Sequence, residues 1–85
     1  MNKLTEMVNH KLEEGKLLMV SVQANGTSFV DSVIPELLIN NDECLYIEGD
    51  NLMLNIPKNK ISEVVFDEME EEYIIKCENM IYSLS

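Results

Sequence analysis

The chain has 85 residues and a mass of 9.8 kDa, which is enough for one small domain with a single hydrophobic core. Hydrophobic residues make up 46% of the sequence, so the chain is too apolar to be disordered. Sixteen Asp and Glu residues stand against six Lys and no Arg, and the formal charge is −10. This balance excludes a broad phosphate-neutralising surface, so we expect no direct binding of nucleic acid.

The first six residues are too polar and acidic for a signal peptide, and no apolar run is long enough to cross a bilayer. Two cysteines, Cys44 and Cys77, are too few for the disulfide framework of a small secreted domain. We therefore predict a cytoplasmic protein without membrane association, in which both thiols are reduced and occupy inert core positions.

Residues 2–14 are predicted to form a helix, because apolar residues recur at the spacing that places them on one helical face. Gly15 supplies the left-handed residue that commonly ends a helix. Over residues 18–24 the apolar period changes to two, which is typical of a strand. Asn25 and Gly26 then predict a type I′ hairpin turn, in which both central residues have positive φ.

The rest of the sequence predicts short strands joined by turns. A strand over 27–39 is interrupted by Pro35, which marks a bend, a bulge or an edge. Further strands are predicted over 43–49, 52–56, 73–77 and 80–84. Segment 61–68 fits a helix by spacing and a strand by side-chain type, and we favour the strand. We expect a mainly β (α+β) fold, with the N-terminal helix followed by an antiparallel meander of five to seven strands in a small barrel or half-barrel.

The sequence offers little for catalysis. His10 is the only imidazole and is predicted to lie on the surface of the helix, and no Ser or Cys stands in a motif that positions a nucleophile. The acidic stretch over residues 40–51 does not have calcium-loop spacing, and no Cys-x-x-Cys or His pair could hold zinc. The glycines are scattered turn residues. We predict a protein that is not an enzyme and uses no cofactor or metal.

Charge distribution is the most informative feature. Residues 1–16 carry equal numbers of Lys and Glu, whereas residues 17–57 carry six carboxylates and no cation. A second acidic run lies between residues 61 and 85. The excess charge either serves solubility as a solvated face or lets the acidic β portion bind a basic protein surface. We pursue the second hypothesis, because complementary potentials speed association and orient the partner. Basic surfaces in cells are commonly nucleic-acid channels, so the carboxylates would act as phosphate mimics.

The candidate binding residues are carboxylates near the turns and two tyrosines. We expect the carboxylates to cluster, because turns at one end of a meander lie close together. Each tyrosine combines an apolar ring with a polar tip, as is common at interfaces. The candidate residues are Asp42, Glu43, Tyr46, Glu48, Asp50, Asp67, Glu68, Glu70, Glu71, Glu72 and Tyr73.

In size and acidity the chain is similar to phage-encoded inhibitors of host defence, including anti-CRISPR proteins, and this similarity is one of composition. It implies an inhibitor from a phage or mobile element that blocks the nucleic-acid-binding surface of a host protein. A helix before a small antiparallel barrel also looks like the Sm-like architecture in outline, without that family's glycine and aspartate pattern. The alternative is therefore an oligomeric small barrel whose sheet edges pair between subunits. A second alternative is a domain that binds a small ligand or a divalent cation.

Overall fold

A computed structural model describes residues 2–85 and contains one α-helix followed by eight strands. Helix α1 spans Asn2–Glu14, and a short 3-10 helix spans Lys58–Lys60. The strands are β1 (Leu18–Ala24), β2 (Thr27–Val33), β3 (Pro35–Asn40), β4 (Cys44–Gly49), β5 (Met53–Pro57), β6 (Ile61–Asp67), β7 (Glu72–Cys77) and β8 (Met80–Leu84). The predicted class, mainly β with an N-terminal helix and an antiparallel meander, is confirmed.

Helix α1 has the predicted bounds and packs against β3. Leu4 and Val8, one helical turn apart, are fully buried in the core. Gly15 has a φ of 64° and follows the last helical turn. The backbone N–H of Lys16 donates a 2.8 Å hydrogen bond to the carbonyl of Lys11, which satisfies a carbonyl at the end of the helix.

The hairpin between β1 and β2 also has the predicted turn. Asn25 and Gly26 have φ values of 49° and 78°, so both central residues are in the left-handed region, as a type I′ turn requires. Ala24 pairs with Thr27, and the ladder continues without a bulge to the pair of Leu18 and Val33. This hairpin therefore contributes β2, an edge strand, to a five-stranded sheet.

The strand predicted over 27–39 is divided at Ile34 into β2 and β3, which belong to different sheets. Because of this division the structure has eight strands, where the sequence predicted five to seven. Pro35 pairs with Gly49, and the pairing register shifts between Pro35 and Leu37. Pro35 thus marks both a bend and a bulge, and the bulge leaves Glu36 as the additional residue of β3.

The strands form a five-stranded sheet in the order β2-β1-β8-β7-β6 and a three-stranded sheet in the order β3-β4-β5. The ambiguous segment 61–68 contributes strand β6. The chain passes between the sheets at Ile34 and again through Lys58–Lys60. The two sheets are therefore connected at both ends, because β2 continues into β3 and β5 continues through the 3-10 helix into β6. Within the larger sheet, β1 pairs with β8. The ladders among residues 18–84 nevertheless remain two sheets and not one closed barrel.

One core is formed by the inner faces of both sheets and by α1. Its buried members are Leu4, Val8, Leu18, Val20, Val33, Leu45, Ile47, Leu54, Ile56, Ile75, Cys77, Tyr82 and Leu84. Cys77 is buried, as predicted, whereas Cys44 at the start of β4 is only half-buried. Both cysteines are free thiols.

Candidate functional site

Three carboxylates meet at the bulge of β3. Pro35 pairs with Gly49 and Leu37 pairs with Glu48, so Glu36 lies opposite the step between Glu48 and Gly49. A hydrogen bond joins Glu36 to the side chain of Asp50, which follows β4. We call Glu36, Glu48 and Asp50 the acidic corner.

The electrostatics of the acidic corner follow from this crowding. The hydrogen bond with Asp50 raises the pKa of Glu36, and repulsion from Asp50, desolvation and the charge of Glu48 act in the same direction. The Tyr46 hydroxyl donates a 2.5 Å hydrogen bond to Oε1 of Glu48, and this bond raises the pKa of Tyr46. Within residues 2–85, no Lys or His nitrogen lies within 4.0 Å of the three carboxylates. The corner therefore brings like charges together without a nearby counter-charge.

Exposed apolar side chains adjoin the acidic corner. In the register of the three-stranded sheet, Glu48 pairs with Leu37 and Met53, and Tyr46 pairs with Ile39. Paired residues point to the same side, which here faces away from the core. Leu37, Ile39 and Met53 are all exposed, and Met53 retains 70% of its accessible surface. We call Leu37, Ile39, Tyr46 and Met53, together with the acidic corner, the β3–β5 face.

Asp42 and Glu43 do not belong to this face. They lie in the turn between β3 and β4, at the opposite end of β4 from Asp50, because successive turns of an antiparallel meander alternate between ends. A lysine is present at that end: the backbone N–H of Lys58 donates a 2.9 Å hydrogen bond to the Glu43 carbonyl. The Lys58 ammonium group also donates to the side chain of Asn40. The two central turns thus do not form the single cluster expected from the sequence.

The later acidic run forms a turn of its own between β6 and β7. We call it the acidic turn, and its predicted members are Asp67, Glu68, Glu70, Glu71 and Glu72. The Asp67 carboxylate accepts backbone hydrogen bonds from Met69 and Glu70 at 3.0 and 3.3 Å, which fixes the start of the turn. Glu71 has a φ of 54°. This turn belongs to the five-stranded sheet, whereas the acidic corner belongs to the three-stranded sheet.

The two predicted tyrosines have different environments. Tyr73 is half-buried against the core, and its ring centroid lies 4.8 Å from that of Phe66. Tyr46 instead lies on the β3–β5 face and is held by Glu48. Of the two, only Tyr46 shares a face with the acidic corner.

Sequence reasoning missed four residues of the β3–β5 face: Glu36, Leu37, Ile39 and Met53. The signal for Glu36 was present, because it follows the proline at which a bulge was expected and lies in a segment without cations. The exposure of the apolar residues depends on which face of the sheet meets the core, where α1 and the five-stranded sheet pack.

Several further findings limit the possible chemistry. No group of three or more His, Cys, Asp or Glu side chains between residues 2 and 85 is arranged to hold a metal ion. The helices in this part of the chain are too short and polar to span a bilayer. The chain matches no protein family, no curated protein and no solved structure. Function is therefore inferred from the geometry and charge of the molecule.

Proposed function

We propose that this protein is a non-enzymatic module that binds a basic surface of a nucleic-acid-binding protein through the β3–β5 face, in place of the nucleic acid. One observation carries the proposal: the acidic corner has no cation within 4.0 Å in the described part of the chain, and it adjoins exposed apolar side chains. A partner with Lys and Arg around an apolar patch has the complementary chemistry.

The acidic corner is suited to a guanidinium or ammonium group. Asp50 raises the pKa of Glu36 through its hydrogen bond and its charge, so the folded protein by itself disfavours the ionised form of Glu36. An incoming cation favours the ionised form, so binding strengthens as pH rises through the raised pKa of Glu36. Arg fits best, because its planar fork bonds two carboxylate oxygens at once.

The apolar side chains add affinity that salt does not screen. Leu37, Ile39 and Met53 lose exposed surface on contact, and each fully buried side chain of this size contributes about 1.5–3 kcal/mol. Tyr46 contributes a ring whose hydroxyl is already bonded to Glu48, so little conformational freedom is lost on binding. The acidic turn attracts the same basic partner from a distance and raises the association rate.

Occupation of a phosphate-binding surface excludes the nucleic acid, so the expected biological effect is inhibition. Phages and mobile elements use small acidic proteins in this way, and we propose that role for this chain on the basis of its composition. Binding without chemistry also agrees with the shortage of nucleophiles and bases noted in the sequence.

The test compares two sets of substitutions that remove three negative charges each. The first set is Glu36→Gln, Glu48→Gln and Asp50→Asn in the acidic corner, and the control is Glu68→Gln, Glu70→Gln and Glu71→Gln in the acidic turn. Each protein is immobilised and exposed to host lysate, and every captured protein is assayed for nucleic-acid binding with and without the free module.

We expect the wild type and the control to capture a basic protein and to displace its nucleic acid, and we expect the first set to do neither. If both sets lose capture equally, binding depends on the net charge of the protein and not on the β3–β5 face. If a captured protein still binds its nucleic acid in the presence of the free module, the proposal that the β3–β5 face takes the place of nucleic acid is wrong.

A groove of about 450 Å³ favours a second candidate, binding of a small ligand. Its lining includes Asn55, Lys60, Cys77, Glu78 and Tyr82, and burial raises the pKa of both the thiol and the phenol. Lys60 Nζ lies 3.9 Å from Glu78 Oε1, and the amide, thiol and phenol are neutral donors, so the groove suits a small polar molecule. A thermal-shift screen with nucleotides and carboxylates should then raise the melting temperature, and Lys60→Met should abolish the increase.

A further inference from the structure

We infer that two copies of this chain pair through the free edge of β2, which joins their five-stranded sheets edge to edge. The edge of a sheet presents unpaired backbone N–H and C=O groups, and these can bond to a strand of another chain. Edge pairing between subunits is an alternative expected from the sequence, and the hydrogen bonds around β2 specify where it can occur. The pairing uses no residue of the β3–β5 face and is independent of the proposed function.

The direction of the backbone groups of β2 follows from its neighbour β1. Met19 of β1 exchanges two backbone hydrogen bonds with Ser85, at 2.8 and 3.0 Å, so its pair with Ser32 of β2 is not hydrogen-bonded. Hydrogen-bonded and non-hydrogen-bonded pairs alternate along an antiparallel ladder, so Ser28, Val30 and Ser32 all direct their N–H and C=O groups away from β1. Within residues 2–85, no strand pairs with β2 on that side.

One of these three outward positions is closed. Oδ1 of Asp31 accepts a 2.8 Å hydrogen bond from the N–H of Ser32, so this donor is already satisfied. Ser28 and Val30 have no such cap within the described residues, and every residue of Thr27–Val30 is exposed. The open part of the edge is therefore short, with one outward residue on each side of Phe29.

The other three free edges carry features that hinder pairing with another chain. Strand β3 packs against α1 and contains Pro35 and a bulge. Strand β5 has five residues and ends at Pro57. Strand β6 has a bulge near its start and carries Glu63 and Asp67. The stretch Thr27–Val30 has no charge, no proline and no bulge. The first half of β2 is thus the unprotected edge among the described strands.

The pattern of open groups is self-complementary, which favours a second copy as the occupant. When two β2 strands pair antiparallel with Phe29 opposite Phe29, Ser28 of each copy faces Val30 of the other. Each of these two pairs exchanges two N–H···O bonds, so every open backbone group is bonded, and a two-fold axis relates the pairs. An unrelated longer strand would continue to Ser32, whose N–H is taken by Asp31. In the second copy Ser32 instead faces Gly26, where the strand has already ended in its turn.

The side chains agree with this register. Phe29 retains 47% of its accessible surface and Val30 retains 67%, so both have surface to lose. The two Phe29 side chains lie at a non-hydrogen-bonded pair, where opposite side chains approach most closely. Asp31 of one copy faces Thr27 of the other, so no carboxylate stands opposite a carboxylate.

The contact is short, so the dimer should form only at high concentration. Sedimentation velocity from micromolar to millimolar concentration should show a shift from 9.8 kDa towards twice that mass. Added salt should favour the shift, because it screens the repulsion between two chains that each carry a formal charge of −10. Salt should weaken the binding of a basic partner, so the dimer and the proposed function respond in opposite directions.

Proline substitution tests the backbone hydrogen bonds. Val30→Pro removes an outward N–H, and an edge strand tolerates proline where the N–H faces away from the sheet. The dissociation constant of the dimer should rise roughly tenfold or more, since each copy loses a hydrogen bond. Val30→Thr is the matched control, because it keeps the N–H and a β-branched side chain, and the dimer should persist. Ser28→Pro replaces Val30→Pro if circular dichroism shows that variant to be unfolded.

Cysteine cross-linking tests the register. Phe29→Cys places two thiols at directly opposite positions, where a Cα separation of about 4.5 Å allows a disulfide, so oxidation should link the copies. Thr27→Cys is the control on the same face of β2. Its two thiols lie about 13 Å apart along the strands in this register, so they should not be linked. Both variants keep Cys44 and Cys77, and peptide mass spectrometry identifies the linked residues.

Three outcomes would overturn the inference. The first is a wild type that stays at 9.8 kDa at millimolar concentration and high salt. The second is a folded proline variant at position 28 or 30 that dimerises as tightly as the wild type. The third is Thr27→Cys that cross-links as readily as Phe29→Cys, since this would mean that the two β2 strands do not meet in the stated register.

Discussion

Gly49 lies so close to Val33 that a Cβ atom at position 49 would stand 2.0 Å from Cγ2 of Val33. The same atom would stand 2.7 Å from the carbonyl oxygen of Ile34. Val33 ends β2 and Ile34 leads into the other sheet, so this contact lies at the junction of the two sheets. Gly49 is needed here because of packing, whereas Gly15 and Gly26 are needed for their positive φ.

Gly49→Ala should therefore lower the free energy of unfolding by about 1–3 kcal/mol, because backbone as well as a side chain must move to admit the methyl group. Urea unfolding followed by circular dichroism measures the loss. Ser28→Ala, at an exposed position of β2, is the control and should change the free energy by less than about 0.5 kcal/mol. If the two variants are equally stable, the junction of the two sheets accommodates the added methyl group without loss of stability.

Glu36→Gln should raise stability at neutral pH. The raised pKa of Glu36 means that the folded state holds its proton more tightly than the unfolded state, whose value is near 4.5. Its contribution is complete below that pH and is lost as pH rises through the folded pKa. Gln keeps a neutral hydrogen-bonding group beside Asp50, so the variant does not suffer this loss.

Melting temperatures at several pH values test this prediction. The difference between the variant and the wild type should be small in acid and should grow as pH rises above about 4.5. Glu70→Gln in the acidic turn removes the same charge and reports the general effect of lower net charge. If the melting temperatures of both variants change with pH in the same way, the interaction of Glu36 with Asp50 has no measurable effect on stability.

Leu45→Ala should cost about 2–5 kcal/mol, because Leu45 is fully buried and the substitution leaves a cavity in the core. Met53→Ala on the neighbouring strand is the matched control, and it should cost far less because Met53 is exposed. The comparison, made by urea unfolding, tests which face of the three-stranded sheet meets the core. A larger loss for Met53→Ala would reverse that assignment.

Cys77 should react with iodoacetamide more slowly than Cys44. Burial raises the pKa of the Cys77 thiol, with a smaller effect from Glu78, so less reactive thiolate is present at a given pH. Cys44 is half-buried. Mass spectrometry of alkylated peptides measures both rates, and unfolding in urea should make them similar. Faster labelling of Cys77 in the folded protein would mean that its strand opens readily.

Features that depend on neighbouring residues were predictable from the sequence. The helix over 2–14 and the turn at Asn25 and Gly26 have the expected bounds, because helical spacing and positive φ are local properties. Pro35 was expected to mark a bend, a bulge or an edge, and it lies at a bend and a bulge at the start of the edge strand β3. Segment 61–68 could not be decided locally, since its strand conformation depends on pairing with distant β7.

The candidate site was less predictable, because it depends on contacts between strands. The grouping of Glu36 with Glu48 and Asp50 follows from a one-residue register shift, which residue type alone does not determine. Grouping Asp42 and Glu43 with Glu48 and Asp50 overlooked the alternation of turns along β4. Tyr73 could be an anchor or a half-buried residue by sequence, and in the structure Phe66 and the core cover part of its ring.

The ladder between β1 and β8 has a consequence for how the protein is made. Val20 pairs with Leu84, so the central pair of the large sheet cannot form until the ribosome has released almost the whole described chain. Until then, β1 has only its hairpin partner β2, and its other edge stays open in the nascent polypeptide. Pairing between such distant segments slows folding, so newly made chains pass through a period in which they are vulnerable to aggregation and proteolysis.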